Sequence, residues 1–329
     1  VTVGGNLAAT TDANSGVINM GTLAVDGTVQ LTTNGTGNAT VVNDAGLNFA
    51  ASTVGGNLAA TVTTGNMTDS GALTIAGTSS FTTSANNATI ALDTTTNAFT
   101  GAVTITTNDN SGTDADVTID GGTTALVLAA STIDGDLTVT SGNASGITDS
   151  GTVTVGGNLA ATTDANNGVI TMDTLAVDGT VQLTTNGSGN ATVVNDAGLN
   201  FAASTVGGAL SATATTGNMI DSGALAITGT TTLTTSANDA TIALDTTTNA
   251  FTGAVTITTN DNSGTDADVM IDGGTTALIL AASTIDGDLT VRSGNASGIT
   301  DSGTVTVGGN LAATTDANNG LINLGTLAV

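Results

Sequence analysis

Between residues 22 and 44, in TLAVDGTVQLTTNGTGNATVVND, apolar and polar side chains alternate in three short runs: Leu23-Ala24-Val25, Val29-Gln30-Leu31 and Thr40-Val41-Val42. A period of two over so few residues predicts strands, because successive side chains of a strand point to opposite faces. Asp26-Gly27 separates the first two runs and can bend the chain, since glycine tolerates positive φ; Asn34-Gly35-Thr36-Gly37-Asn38 is turn chemistry. The same three-run plan returns at residues 73–92 and 99–120.

An apolar-x-Gly phrase marks these units at Gly5, Gly27, Gly56, Gly77, Gly101, Gly121 and Gly135, with intervals of 22, 29, 21, 24, 20 and 14 residues and then 22 to Gly157. The whole set repeats: VTVGGNLAAT starts at Val1, Val153 and Val305, a period of 152 residues. Residues 1–152 and 153–304 differ at 17 positions, and 305–329 begin a third copy. Most differences are mild, such as Val127/Ile279; Thr118/Met270 and Thr140/Arg292 are not.

Three short strands per unit of about 22 residues, repeated without helices, predict an all-β fold: a right-handed parallel β-helix, or β-solenoid, of about 15 coils. Stacked about 4.8 Å apart, seven coils would advance about 34 Å per long repeat and the chain would form one continuous rod of about 70 Å. The competing architecture is a string of β-sandwich domains, two per long repeat. The chain opens inside its repeat phrase and stops at LGTLAV, which leads us to expect an internal stretch of a longer chain or end-to-end stacking.

Composition narrows this picture. The 329 residues include no Pro, Cys, His, Trp or Tyr, and 39% are hydrophobic, which argues against disorder. The apolar residues are Val, Ile, Leu and Ala with five Phe, so a narrow core of small side chains is expected. The missing prolines suit interior strands that need every N–H for the ladder.

The units ITDSGTVTVGGNLAATT and STIDGDLTVTSGNASGITDSG resemble the repeats of filamentous-haemagglutinin-type exoproteins and of giant β-strand-repeat proteins of bacterial cell surfaces. The resemblance covers essentially the whole chain. It implies a right-handed parallel β-helix, export from a bacterium and a role as a long fibre, adhesin or surface-layer component. The Asn-Pro-Asn secretion signature of haemagglutinin-type proteins is not found here, so the resemblance does not extend to the export route.

The residue inventory speaks against an enzyme. Without His, Cys, Lys, Tyr or Glu, the acid/base groups are aspartates; Asp114 with Asp116 is a formal glycosidase pair, copied at Asp266 and Asp268. The sharper chemistry is metal binding. NDNSGTDAD at residues 108–116 and its copy at 260–268 concentrate hard oxygen ligands, making Asp109, Asn110, Asp114, Asp116, Asp261, Asn262, Asp266 and Asp268 candidate Ca²⁺ ligands; a solvated Asx-rich turn explains the same residues. Ile133-Asp134-Gly135-Asp136 reads as a bend, and the sequons at Asn38, Asn66, Asn87 and Asn143 as turns.

A net charge of −26, from 27 Asp against Arg292, excludes nucleic acid as a partner and opposes binding to anionic membranes. No transmembrane run is present, so membrane insertion is not expected. The expected partners are neighbouring copies of the chain, end to end or side by side, and a cell-surface or glycan partner. Rows such as Val103-Thr104-Ile105-Thr106-Thr107 would suit an ice or carbohydrate surface, but Thr is also the natural outward residue of a pleated strand. The sequence thus points to an extracellular or cell-surface structural fibre, with an adhesin rod presenting Asp/Thr-rich faces as the alternative.

Overall fold

The computed structural model describes residues 1–108, 115–260 and 266–329. Among them the regular elements are strands in parallel sheets, with no helix, wound as a β-solenoid of about 15 turns with about 21 residues per turn. Val1–Ala165 and Asn166–Val329 form two compact units, and each is a stretch of such a solenoid.

One turn of the first unit shows the plan. Leu58–Val62 lies in one sheet, Met67–Asp69 and Leu73–Ile75 follow in the opposite sheet, and Ser79–Thr83 returns to pair with Leu58–Val62. The three strands expected per coil are therefore present, one facing two. Registry is close: Ala60, Phe81 and Ile105 stack inward, while Ala59, Ser80 and Thr104 stack outward. Phe49, Phe81, Phe99, Phe201 and Phe251 are fully buried, and Phe81 meets Phe99 edge to face at 5.8 Å. Burying a side chain of this size contributes about 1.5–3 kcal/mol, so each turn gains most of its stabilisation from a few inward residues.

The seven glycine marks are not one series. Gly56, Gly77 and Gly101 lead into Leu58–Val62, Ser79–Thr83 and Val103–Thr106 in one sheet. Gly5, Gly27 and Gly135 lead into Leu7–Asn14, Thr28–Asn34 and Leu137–Ser141 in the other. The uneven intervals fall where one series gives way to the other, and Gly121 belongs to neither, ending the strand Val117–Asp120. The cause is that the cross-section offers two similar corners on opposite sides. Val54-Gly55-Gly56-Asn57-Leu58 uses one, and the related Ile133-Asp134-Gly135-Asp136-Leu137 uses the other.

Glycine is required there because turns stack closely. A Cβ on Gly101 would meet the backbone of Gly77, and one on Gly135 would meet Asp116 Oδ1. The left-handed positions are few. Asn87 and its counterpart Asp239 have φ of 59° and 60°, a substitution between two residue types that tolerate this region.

Buried polar side chains repair the ladder where strands break. Thr28–Asn34 pairs with Leu47–Phe49 through Val29 and Phe49, and with Ser52–Val54 through Thr32 and Thr53. Between them the Leu31 N–H donates instead to Ser52 Oγ at 3.0 Å, and that hydroxyl donates to Ala50 O at 2.7 Å. Ser131, Ser204 and Ser283 do the same for Ile105, Leu183 and Ile257. Asn43, fully buried, accepts the Val25 N–H at 2.9 Å and donates to Val25 O and Gly46 O; Asn195 repeats this at Val177 and Gly198.

Candidate functional site

Of the candidate Ca²⁺ ligands, Asp109, Asn110, Asp114, Asp261 and Asn262 lie outside the described residues. Asp116, Asp266 and Asp268 are exposed. Asp116 stands at the corner before Val117–Asp120, and its Oδ1 accepts the N–H of Asp136, one turn on, at 2.9 Å. Asp136 Oδ1 in turn accepts the Asn158 N–H at 2.7 Å. In the second unit Asp268 accepts from Asp288 at 2.8 Å, and Asp288 from Asn310 at 2.6 Å.

This is a side-chain ladder running up one corner, each carboxylate or amide oxygen taking a backbone N–H that the corner geometry leaves without a strand partner. At the opposite corner Asn38 Oδ1 accepts from Asn57 N–H at 2.8 Å, and Asn57 Oδ1 from Thr78 N–H at 2.9 Å. Among the described residues no three His, Cys, Asp or Glu side chains are grouped so as to hold a metal.

Two carboxylates that sequence reasoning took for a bend are buried. Asp134 and Asp286 are each 7% exposed, at a corner position that Gly55 fills elsewhere. Their backbone N–H groups donate to Thr107 Oγ1 at 2.8 Å and Thr259 Oγ1 at 2.9 Å. The sequence did not mark them, since Asp26 and Asp178 also stand in place of the first Gly of a corner pair and are exposed.

Other aspartates are half-buried with a clear electrostatic signature. Burial pushes Asp69 above the usual carboxylate range, against the opposing pull of the Asn97 amide, which donates to Asp69 Oδ2 at 2.7 Å. Asp221 is raised for the same reason beside Asn249. Asp120 is also raised by burial, with the Gly122 N–H at 2.7 Å opposing. Asp301 goes the other way, held low by hydrogen bonds from Thr326 and Gly325. Asp69, Asp221 and Asp301 each take hydrogen bonds from residues 24 to 28 places further along the chain, and Asp120 takes one from Gly122, two residues on.

On the outward side, Thr61, Thr82, Thr106, Thr132 and Thr154 form a column of one threonine per turn. Thr213, Thr234, Thr258, Thr284 and Thr306 repeat it in the second unit. No helix among the described residues is long and apolar enough to cross a membrane.

No curated protein and no solved structure matches the chain. The model of a repeat family of unknown function matches four times, at residues 36–106, 114–184, 188–258 and 266–328. Its repeat is half of the 152-residue period, a division that the verbatim duplication hid. Consecutive repeats set related strands on opposite sheets, as Leu58–Val62 and Leu137–Ser141 do, so only every second repeat restores the phase and the near-identical spelling. Matched over most of its length, the chain belongs to the repeats of unknown function (DUF5649).

Proposed function

We propose that this chain is a structural module of a bacterial extracellular or cell-surface fibre, whose task is length and stiffness. The observation that carries the reading is the use made of its polar residues. The inward Ser and Asn and the corner Asp and Asn join each turn to the next, in both units, through the same bonds. Where every turn contacts only its neighbours, stability is roughly a sum of turn and interface terms, so copying a block lengthens the particle without redesigning a core. The repeat resemblance to haemagglutinin-type and giant surface proteins supports an exported location. On this reading the chain works as a scaffold and not as an enzyme, its turns held by these bonds without recourse to Ca²⁺.

The test is a set of chains carrying two, three and four copies of the 152-residue block, measured by small-angle scattering with and without a chelator. Each added block should extend the maximum dimension by about 34 Å, seven turns at about 4.8 Å. An unchanged dimension, or a particle that collapses on chelation, would overturn the reading.

The second reading is an adhesin. It is favoured by the threonine columns, which are unchanged between the two units although other outward positions of both sheets differ, among them Ser80/Thr232 and Thr118/Met270. Glycan-array binding that Thr106→Val and Thr258→Val abolish would support it over the scaffold.

A further inference from the structure

In the second unit Ile220, Ala243 and Met270 stand side by side on successive strands, facing outward in register, with Thr290 next in the column. Ile220 is 41% exposed and Met270 38%. The first unit has Thr68, Ala91, Thr118 and Thr138 in the same column. Arg292, the one Lys or Arg of the chain, is exposed on the same face, two residues beyond Thr290, where the first unit has Thr140. Thus among 17 differences between the copies, the exchanges that expose a large apolar side chain and the one that adds a cation fall on one sheet of one unit.

We propose that this face is a self-association surface, covered by the same face of a second copy of this chain. The argument for a second copy is charge complementarity within one strand. Asp288 stands just before Leu289–Ser293 and Arg292 lies near its end, with Thr290 between them and Met270 alongside. When two such faces meet about a two-fold axis parallel to the solenoid axis, the strands run in opposite directions across the interface. Each Arg292 then lies opposite the partner's Asp288, and the apolar column packs on itself, the self-complementary arrangement of an isologous dimer. The first unit, with Asp136 and Thr140 at these places, has no such complement.

Repulsion between two chains of −26 is screened beyond about 8 Å at physiological salt, so it does not forbid the contact. Three apolar residues make a small interface, and the dimer is accordingly weak. The inference goes beyond the scaffold reading and is independent of it, since it concerns association and not length or location.

Sedimentation velocity of the full chain at physiological salt, over rising concentration, provides the test. The expected result is a reversible monomer–dimer equilibrium. The variant Ile220→Thr/Met270→Thr/Arg292→Thr, which restores residues that the first unit already accommodates, should weaken it at least tenfold. Asp288→Asn, which keeps an acceptor for Asn310, should weaken it to a smaller extent. A parent chain that stays monomeric at every concentration, or a triple variant that dimerises as the parent does, would overturn the proposal.

Discussion

Asn43 shows what a single buried polar residue does in this fold. Its side chain makes three hydrogen bonds, two to the backbone of Val25 and one to Gly46 O, in a place fully closed to water. Alanine at this position removes all three partners at once and leaves the Val25 N–H buried without an acceptor. The cost of orphaning buried donors and acceptors is about 1–3 kcal/mol for each group. Asn43→Ala should therefore destabilise the first unit by about 2–4 kcal/mol, and Asn195→Ala should do the same to the second. Urea unfolding followed by circular dichroism, with hydrogen exchange to locate the loss, checks this. A change below about 0.5 kcal/mol, the range of ordinary surface substitutions, would mean that water replaces the amide. Half-buried Asn143, which accepts the Ser145 N–H two residues on and donates to Thr123 O one turn back at a solvent-exposed place, provides the contrast, and its replacement should cost less.

At the scale of strands and turns, the alternation at residues 22–44 and the Gly-containing corners were sufficient to read a solenoid of short strands, because a period of two and a bend survive any choice of partner. Which sheet a strand enters was not legible. Val54-Gly55-Gly56-Asn57-Leu58 and Ile133-Asp134-Gly135-Asp136-Leu137 look alike to periodicity, and only their partners separate them. The roles of Ser52 and Ser131 were not legible either, because the N–H groups they capture lie 21 and 26 residues away. The same distance hid the corner ladder: an Asp at a turn suggested local Asx chemistry or a cation, whereas Asp116 reaches 20 residues on to the next turn. Parallel pairing on both sides also protects the chain. Arg292 sits in Leu289–Ser293, which is paired with Val269–Asp272 on one side and Leu311–Thr315 on the other. Trypsin has no other Lys or Arg to attack, and it needs an extended, unpaired segment. The folded chain should stay intact on a gel under conditions where the urea-unfolded chain yields two fragments; rapid native cleavage would show that these last turns open locally.

For the whole chain, 27 carboxylates against one guanidinium make pH the strongest lever on stability. The familiar result of acidification is unfolding, because carboxylates bound in the native state must give up their partners. Here the resolved shifts predominantly have the opposite sign. Asp69, Asp120 and Asp221 have folded pKa values raised by burial, so the native state binds protons more tightly than the unfolded chain at these sites. Their contribution to stability is fully present below the unfolded carboxylate pKa, about 4, and is lost as pH rises through the higher folded values. Asp301 opposes them: its folded pKa is lowered, and its contribution disappears as pH falls through that value. As the pH is lowered from neutrality toward the unfolded carboxylate pKa, about 4, the three raised groups take up protons first, and this uptake also reduces the self-repulsion of a chain at −26. The thermal midpoint should consequently rise as the pH is lowered through this window, and Asp69→Asn with Asp221→Asn should flatten the slope. A midpoint that falls steadily over the same range would mean that native carboxylates are, in net, stabilised as anions by the corner N–H groups they accept.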